Sequence, residues 1–278
     1  MQLIDGKAIA EKIHTEIAEK VRLLNTKPGL AVILVGNDPA SRLYVSLKEK
    51  ACARAGIHFE KHVFGADEPE QNLLAQISSL NIRPDIHGIL VQLPLPPSYN
   101  TDKIIAAVNP KKDVDGFHPK NLKLLPVTTK AVATLLKSIG VALLNKNAVI
   151  LANSQTFALP IKTYLENQGV KTKIIFYNPN LSISQSLNLS QTDILITAVG
   201  QPKIIKPEMI KDGAIVVDVG TNRVNCGTED RPYWKTVGDV DAESLKQKTG
   251  FLTPVPGGVG PVTVAMLLEN IFWLAQQS

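Results

Sequence analysis

Apolar and polar positions along this chain follow two alternating periods. Ala31–Val35, His87–Val91, Ala148–Leu151, Asp193–Val199 and Ala214–Val219 are apolar at most positions and read as strands buried on both faces. Ile57–Phe64 and Thr172–Phe176 read as two further strands. Between them the spacing turns helical. Ile9, Ile13, Ile17, Val21 and Leu24 make one stripe, ended by Lys27-Pro28-Gly29. Further helices are predicted over Pro39–Ala55, Glu68–Leu80, Asp102–Val108, Thr128–Ile139, Phe157–Asn167 and Val262–Ala275. Strand and helix alternating through short turns predict an α/β fold of two domains. Each is a mainly parallel sheet flanked by helices, the second is Rossmann-like, and a cleft lies between them. The crossing between domains is set at Leu122–Pro126.

Chemistry collects where these strands end. Gly36-Asn37-Asp38-Pro39 turns the first strand into a helix, with Asp38 placed as its cap and Pro39 in its first turn. Tyr44 and Lys48, four residues apart, share one face of that helix. A phenol can stack on a flat substrate, and an amine whose pKa is lowered by burial can move protons. The plainer alternative is a surface lysine beside a half-buried tyrosine. Gln92 follows another strand, where ligands of open α/β sheets bind, and its amide donates and accepts as a heterocycle edge requires. A polar strand terminus before a rigid proline turn is the alternative there. In Asp113-Val114-Asp115-Gly116 two carboxylates flank one residue, the pattern of a solvated turn, and no calcium-loop spacing follows. Gly257, Gly258 and Gly260 before Pro261 allow a tight loop that could approach a flat ligand or an anion, or serve as a hinge.

Composition narrows the class. With 278 residues a full hydrophobic core fits, no run of about 18 apolar residues occurs, and the N-terminus carries charge too early for a signal peptide. Cys52 and Cys226 lack metal-ligand spacing and read as reduced thiols, so a cytoplasmic protein without metal or membrane partner is expected. The net charge of +5 comes from scattered lysines, with no aromatic-interleaved basic stripe of the kind that tracks nucleic acid.

Four stretches occur together and in order: VGNDPASRLYVSLKEKACARAG, GILVQLPLP, KDVDGFHP and TPVPGGVGPVT. With them the chain, from about Ile4 to about Ile271, resembles the bifunctional methylenetetrahydrofolate dehydrogenase/cyclohydrolase family, the bacterial FolD type. The resemblance implies that Tyr44, Lys48, Gln92 and Asp115 form a folate site. Lys48 would be the catalytic acid/base, Gln92 would position it, Tyr44 would pack on the substrate and Asp115 would hold the pterin. It also implies a homodimer, NADP as cofactor, and a last helix that returns to the first domain. The domains would then be residues 1–121 plus 262–278, binding folate, and residues 122–261, binding the dinucleotide, with Gly257, Gly258 and Pro261 at the substrate.

The dinucleotide turn departs from the family pattern Gly-Arg-Ser-x-x-Val-Gly-x-Pro. Here it reads Ala152-Asn153-Ser154-Gln155-Thr156-Phe157-Ala158-Leu159-Pro160. Glycine permits positive φ and a close approach of backbone to pyrophosphate, so both alanines are expected to obstruct the cofactor. Tyr177-Asn178 stands where the family often has His-Ser, which removes an expected partner of the 2′-phosphate. Val127-Thr128-Thr129-Lys130-Ala131 replaces the usual Cys-Thr-Pro-x-Gly, whereas Asp218–Arg223, with Gly220 and Thr221, and Gly238–Val240 match. Ala152, Asn153, Ser154, Gly220 and Thr221 are the candidate cofactor-binding residues. Three functions follow: the bifunctional enzyme acting on tetrahydrofolate derivatives with NADP; a cyclohydrolase whose dehydrogenase half is lost, weakened or shifted to NAD; and a non-catalytic folate-binding paralogue.

Overall fold

The computed structural model describes residues 1–121, 123–179, 189–228, 231 and 233–277. The chain divides into two compact units, Ala10–Val127 with Val264–Ser278, and Met1–Ile9 with Thr128–Thr263. Leu122, where the sequence sets the start of the crossing, lies outside the described residues. Among the described residues no helix is long and apolar enough to cross a membrane.

The chain opens with a short strand β1 (Gln2–Leu3) and helix α1 (Gly6–Arg22). The first of the two units then alternates β2 (Gly29–Val35), α2 (Pro39–Ala55), β3 (His58–Phe64), α3 (Glu70–Ile82), β4 (Gly88–Val91) and α4 (Thr101–Ala107). Its three strands are all parallel in the order β3-β2-β4. Every residue of β2 is buried, which makes it the centre of the sheet. Leu73, Ile77 and Leu80 recur at helical spacing on α3 and pack on Ala31, Ile33, Ile89 and Val91. α1 stops at Arg22, earlier than the stripe through Leu24 predicts, and Leu23 is exposed. Gly29 already belongs to β2, where a Cβ would stand 2.0 Å from the Asp85 carbonyl oxygen. The glycine therefore serves a close backbone approach, not a helix end.

The other unit contains α5 (Val127–Ser138), β5 (Asn147–Ala152), α6 (Gln155–Asn167), β6 (Lys171–Phe176), β7 (Ile194–Ala198) and β8 (Ile215–Asp218). A hairpin, β9 (Asn222–Asn225) with β10 (Trp234–Val237), is followed by β11 (Phe251–Leu252), and the last helix, α7 (Val259–Ala275), belongs from Val264 onward to the first unit. Six parallel strands run in the order β1-β11-β8-β7-β5-β6. From β5 the chain steps outward to β6 and then returns across β5 to β7, so the carboxyl ends of β5 and β7 flank a topological switch point. Two-residue strands leave no period to read, so the sequence pattern predicts neither β1 nor β11. The N-terminal residues, assigned by sequence to the folate domain, group with this unit because β1 pairs with β11. α7 begins at Val259, three residues before the expected Val262, so Pro261 sits within its first turn.

Candidate active site

The carboxyl ends of β2 and β4 and the first turns of α2 bring the first group together. Asp38 Oδ2 accepts the Ser41 amide at 2.7 Å, Pro39 opens α2, and Gly56 closes it in the left-handed region at φ 73°. Within α2, Tyr44 is half-buried and Lys48 is buried with 9% of its surface exposed. The surface-lysine alternative therefore does not hold. Lys48 Nζ donates to Gln92 Oε1 at 2.8 Å. Gln92 Nε2 donates to the Leu93 carbonyl at 2.7 Å, and the Gln92 amide continues the ladder to Ile33 O at 2.9 Å. Both ends of this side-chain amide are committed, which fixes its acceptor toward Lys48.

Burial drives the Lys48 ammonium below its usual range, and the nearby Asp115 charge opposes this. Asp115 is pushed up to about 6 by burial, against the pull of Lys48 and with Asp113 adding to the rise. The cause is visible in its surroundings, since Ile89, Val91, Leu93, Ile105 and Phe117 share a small cavity with it. The pair thus sets an amine that holds its proton less tightly than an ordinary lysine beside a carboxylate mostly ionised at neutral pH.

Asp113 has a different task. Its carboxylate accepts the Gly116 and His118 amides at 3.1 and 2.9 Å and Asn121 Nδ2 at 2.9 Å. Ile89 N donates to Lys112 O at 2.7 Å, and Asn270 Nδ2 from α7 donates to Val114 O at 2.9 Å. Gly116 turns the segment at φ 77°, where a Cβ would stand 2.8 Å from the Pro126 nitrogen. The turn is thus a scaffold that presents Asp115, a role that the sequence does not reveal. The Asp-x-Asp-Gly spacing signals a turn without telling which carboxylate closes it. Among the described residues no group of three or more His, Cys, Asp or Glu side chains is placed to hold a metal ion.

The remaining sequence candidates lie in the other unit. Gly257 adopts φ 113°, and Gly258 packs against Gly6, whose Cβ would stand 1.9 Å from the Gly258 carbonyl oxygen. At the switch point Ala152 is fully buried inside β5, paired with Phe176 and Ala198, and Ala158 is fully buried inside α6. Neither has positive φ. The expectation that these alanines obstruct the turn through φ is therefore corrected: both positions use ordinary strand and helix backbone, where alanine is at least as favourable as glycine. Ser154 precedes α6 in extended conformation without capping it, and Asn153 Nδ2 donates to Val199 O at 3.2 Å across the switch point. Gly220 is buried behind β8 and Thr221 is exposed. Tyr177 is half-buried, and its amide donates to Ala152 O at 2.9 Å. The backbone frame suits a dinucleotide, while the side chains beyond β6 supply no cation at Tyr177 or Asn178.

Two family descriptions match this chain. "Tetrahydrofolate dehydrogenase/cyclohydrolase, catalytic domain" covers residues 4–115, and the family's "NAD(P)-binding domain" covers residues 126–278. The chain belongs to the tetrahydrofolate dehydrogenase/cyclohydrolase family. It is 45% identical to the bifunctional protein FolD of Wolinella succinogenes, over 97% of this chain and 95% of that one. The structure is similar to the bifunctional FolD of Campylobacter jejuni, with a TM-score of 0.90, 41% identity, and 100% and 99% of the two chains covered. It is also similar to the Trypanosoma brucei enzyme complexed with NADP and inhibitor, with a TM-score of 0.91, 34% identity, and 99% and 97% covered. As a member of this family the protein is an enzyme of one-carbon metabolism with two activities. It oxidises 5,10-methylenetetrahydrofolate to the methenyl form and hydrolyses that to 10-formyltetrahydrofolate.

Proposed function

We propose that Lys48, Gln92, Tyr44 and Asp115 carry the folate chemistry of this enzyme, with Lys48 as the acid/base group. The observation that carries this reading is the buried Lys48 amine, lowered in pKa and held by Gln92 Oε1 at 2.8 Å beside an anionic Asp115. The methenyl substrate is cationic at the carbon between two nitrogens, and water adds there. A neutral Lys48 takes the proton of that water and returns one to the nitrogen that leaves. Burial shifts Lys48 toward its neutral form, the direction that a proton acceptor needs and that an exposed lysine lacks. Asp115 accepts the N–H groups of the pterin edge, and Tyr44 stacks on the ring. Replacing Lys48 by Met tests the reading: hydrolysis should be lost in a folded protein, and retained turnover would remove Lys48 from the mechanism.

The unit containing β5 to β8 takes the dinucleotide at Ala152-Asn153-Ser154 and Gly220-Thr221 in this reading. A bound nicotinamide supplies the hydride acceptor, and the protein supplies the turn that orients it. NADP is the cofactor we infer, in line with the similar trypanosomal enzyme. A shift to NAD is the second reading, favoured by Tyr177-Asn178 and Asn153 in place of the family's cationic and hydroxyl side chains. Steady-state rates with each cofactor separate the two. Gly257, Gly258 and Pro261 would serve the substrate, and we further infer a cytoplasmic homodimer.

A further inference from the structure

One carboxylate outside the folate group organises the switch point. Asp239 is fully buried in the segment after β10 and accepts from donors on two separate stretches of chain, residues 197–201 and Asn222. Its oxygens receive Thr197 Oγ1 at 3.1 Å, the Val199 amide at 2.7 Å, the Gly200 and Gln201 amides at 3.1 Å each, and Asn222 Nδ2 at 3.0 Å. Three consecutive amides at the carboxyl end of β7 thus close on one side chain. The same segment receives Asn153 from the turn after β5 through Val199 O. Gly220 admits the carboxylate, since a Cβ there would stand 2.2 Å from the Asp239 carboxyl carbon. Asp239 is itself fixed: its amide and that of Val240 donate to the Asp218 carboxylate at 3.1 and 2.9 Å, and the Ile205 amide donates to its carbonyl at 2.9 Å.

A chain end after a parallel strand ordinarily leaves its amides free, and free amides bind phosphate. Here those of residues 199–201 are already satisfied, so the segment shows a ligand a fixed set of other atoms. Resting on the reading of this unit as the dinucleotide domain, we propose that Asp239 is a positioning residue for the dinucleotide. It holds the Val199–Gln201 segment in the binding geometry before the cofactor arrives. Ordering that segment in advance removes a cost that binding would otherwise carry.

The test is Asp239→Asn, assayed for both activities side by side. An amide nitrogen in place of one carboxylate oxygen faces donors and releases part of the segment. The Michaelis constant for NADP or NAD should rise about tenfold or more, with cyclohydrolase kcat/KM held within about twofold. A purely structural role would lower both activities together, and that outcome, like an unchanged Michaelis constant, overturns the proposal. If the variant does not fold, hydrogen exchange on the unaltered enzyme decides. The Val199, Gly200 and Gln201 amides should be protected without dinucleotide; free exchange that slows only on adding NADP or NAD overturns the proposal. Absence of any NADP or NAD affinity in the unaltered enzyme would instead bring down the dinucleotide reading, and the proposal with it.

Discussion

The folate-side group on α2 and β4 and the dinucleotide turn after β5 rely on different parts of the chain. At the first, the proposed chemistry is carried by side chains: Lys48 is held by Gln92 Oε1, Gln92 by the Leu93 carbonyl, and Asp115 lies close enough to Lys48 for their charges to interact. At the second, the frame is backbone: the end of β5, the start of α6 and the amides closed on Asp239. Side-chain chemistry tolerates no substitution, whereas a backbone frame tolerates any residue that keeps its φ and ψ. By the family resemblance the four folate-side candidates keep the expected residues, while the turn after β5 carries two alanines and an asparagine where the pattern has glycines and an arginine.

The largest expected effect tests the first half of that comparison. Lys48→Met should lower cyclohydrolase turnover by about a thousandfold, the scale of a lost general acid–base group. Circular dichroism and an unchanged dinucleotide affinity would show that the fold survives. Next comes Asp115→Ala, expected to weaken folate binding by roughly 2–4 kcal/mol through a lost charge-assisted pair, read by calorimetry. An unchanged affinity would take Asp115 out of the site.

Asp115 also makes the cost of its position measurable. A carboxyl held up to about 6 in the folded protein keeps its proton better there than in the unfolded chain, where it titrates near 3.9. Its ionisation therefore lowers stability as pH rises from about 4 to about 6, and the loss stays constant above that. Asp115→Asn should accordingly stabilise the enzyme by roughly 2–3 kcal/mol at pH 8, with the gain fading as pH falls from about 6 to about 4. Denaturant melts at the two pH values check this; a gain independent of pH would contradict it. Hydrolysis in the unaltered enzyme should fall as pH drops through the same region, because protonation removes the acceptor.

The smallest effect sharpens the comparison from the other side. Ala152→Gly and Ala158→Gly should each cost about 1 kcal/mol of stability without improving dinucleotide affinity, because both sites use ordinary strand or helix backbone. A marked gain in affinity would show that the methyl groups do obstruct the cofactor.

What is legible in the sequence follows the same division. The long strands and helices carry strong periodicity, and the i, i+4 spacing of Tyr44 and Lys48 is enough to place them on one helix face. Gln92 and Asp115 are legible as strand-end and turn residues, their roles only through the family resemblance. The two-residue strands β1 and β11 carry no period, and their pairing joins residues some 250 positions apart. Gly29 reads as a helix stop because Lys-Pro-Gly is turn chemistry, yet the carbonyl of Asp85 explains it. Ala152 and Ala158 mislead because a motif records which residue is usual, not which φ the position adopts. Asp239 stands in a matching motif with no sign of its donors, which come from residues 197 to 222.

The most direct measurement is a calorimetric titration of the unaltered enzyme with NADP and, separately, NAD, with folate present. If the frame is backbone, saturable binding of a dinucleotide follows despite the two alanines. No heat of binding with either cofactor would contradict it and leave the turn after β5 as the defect its sequence suggests.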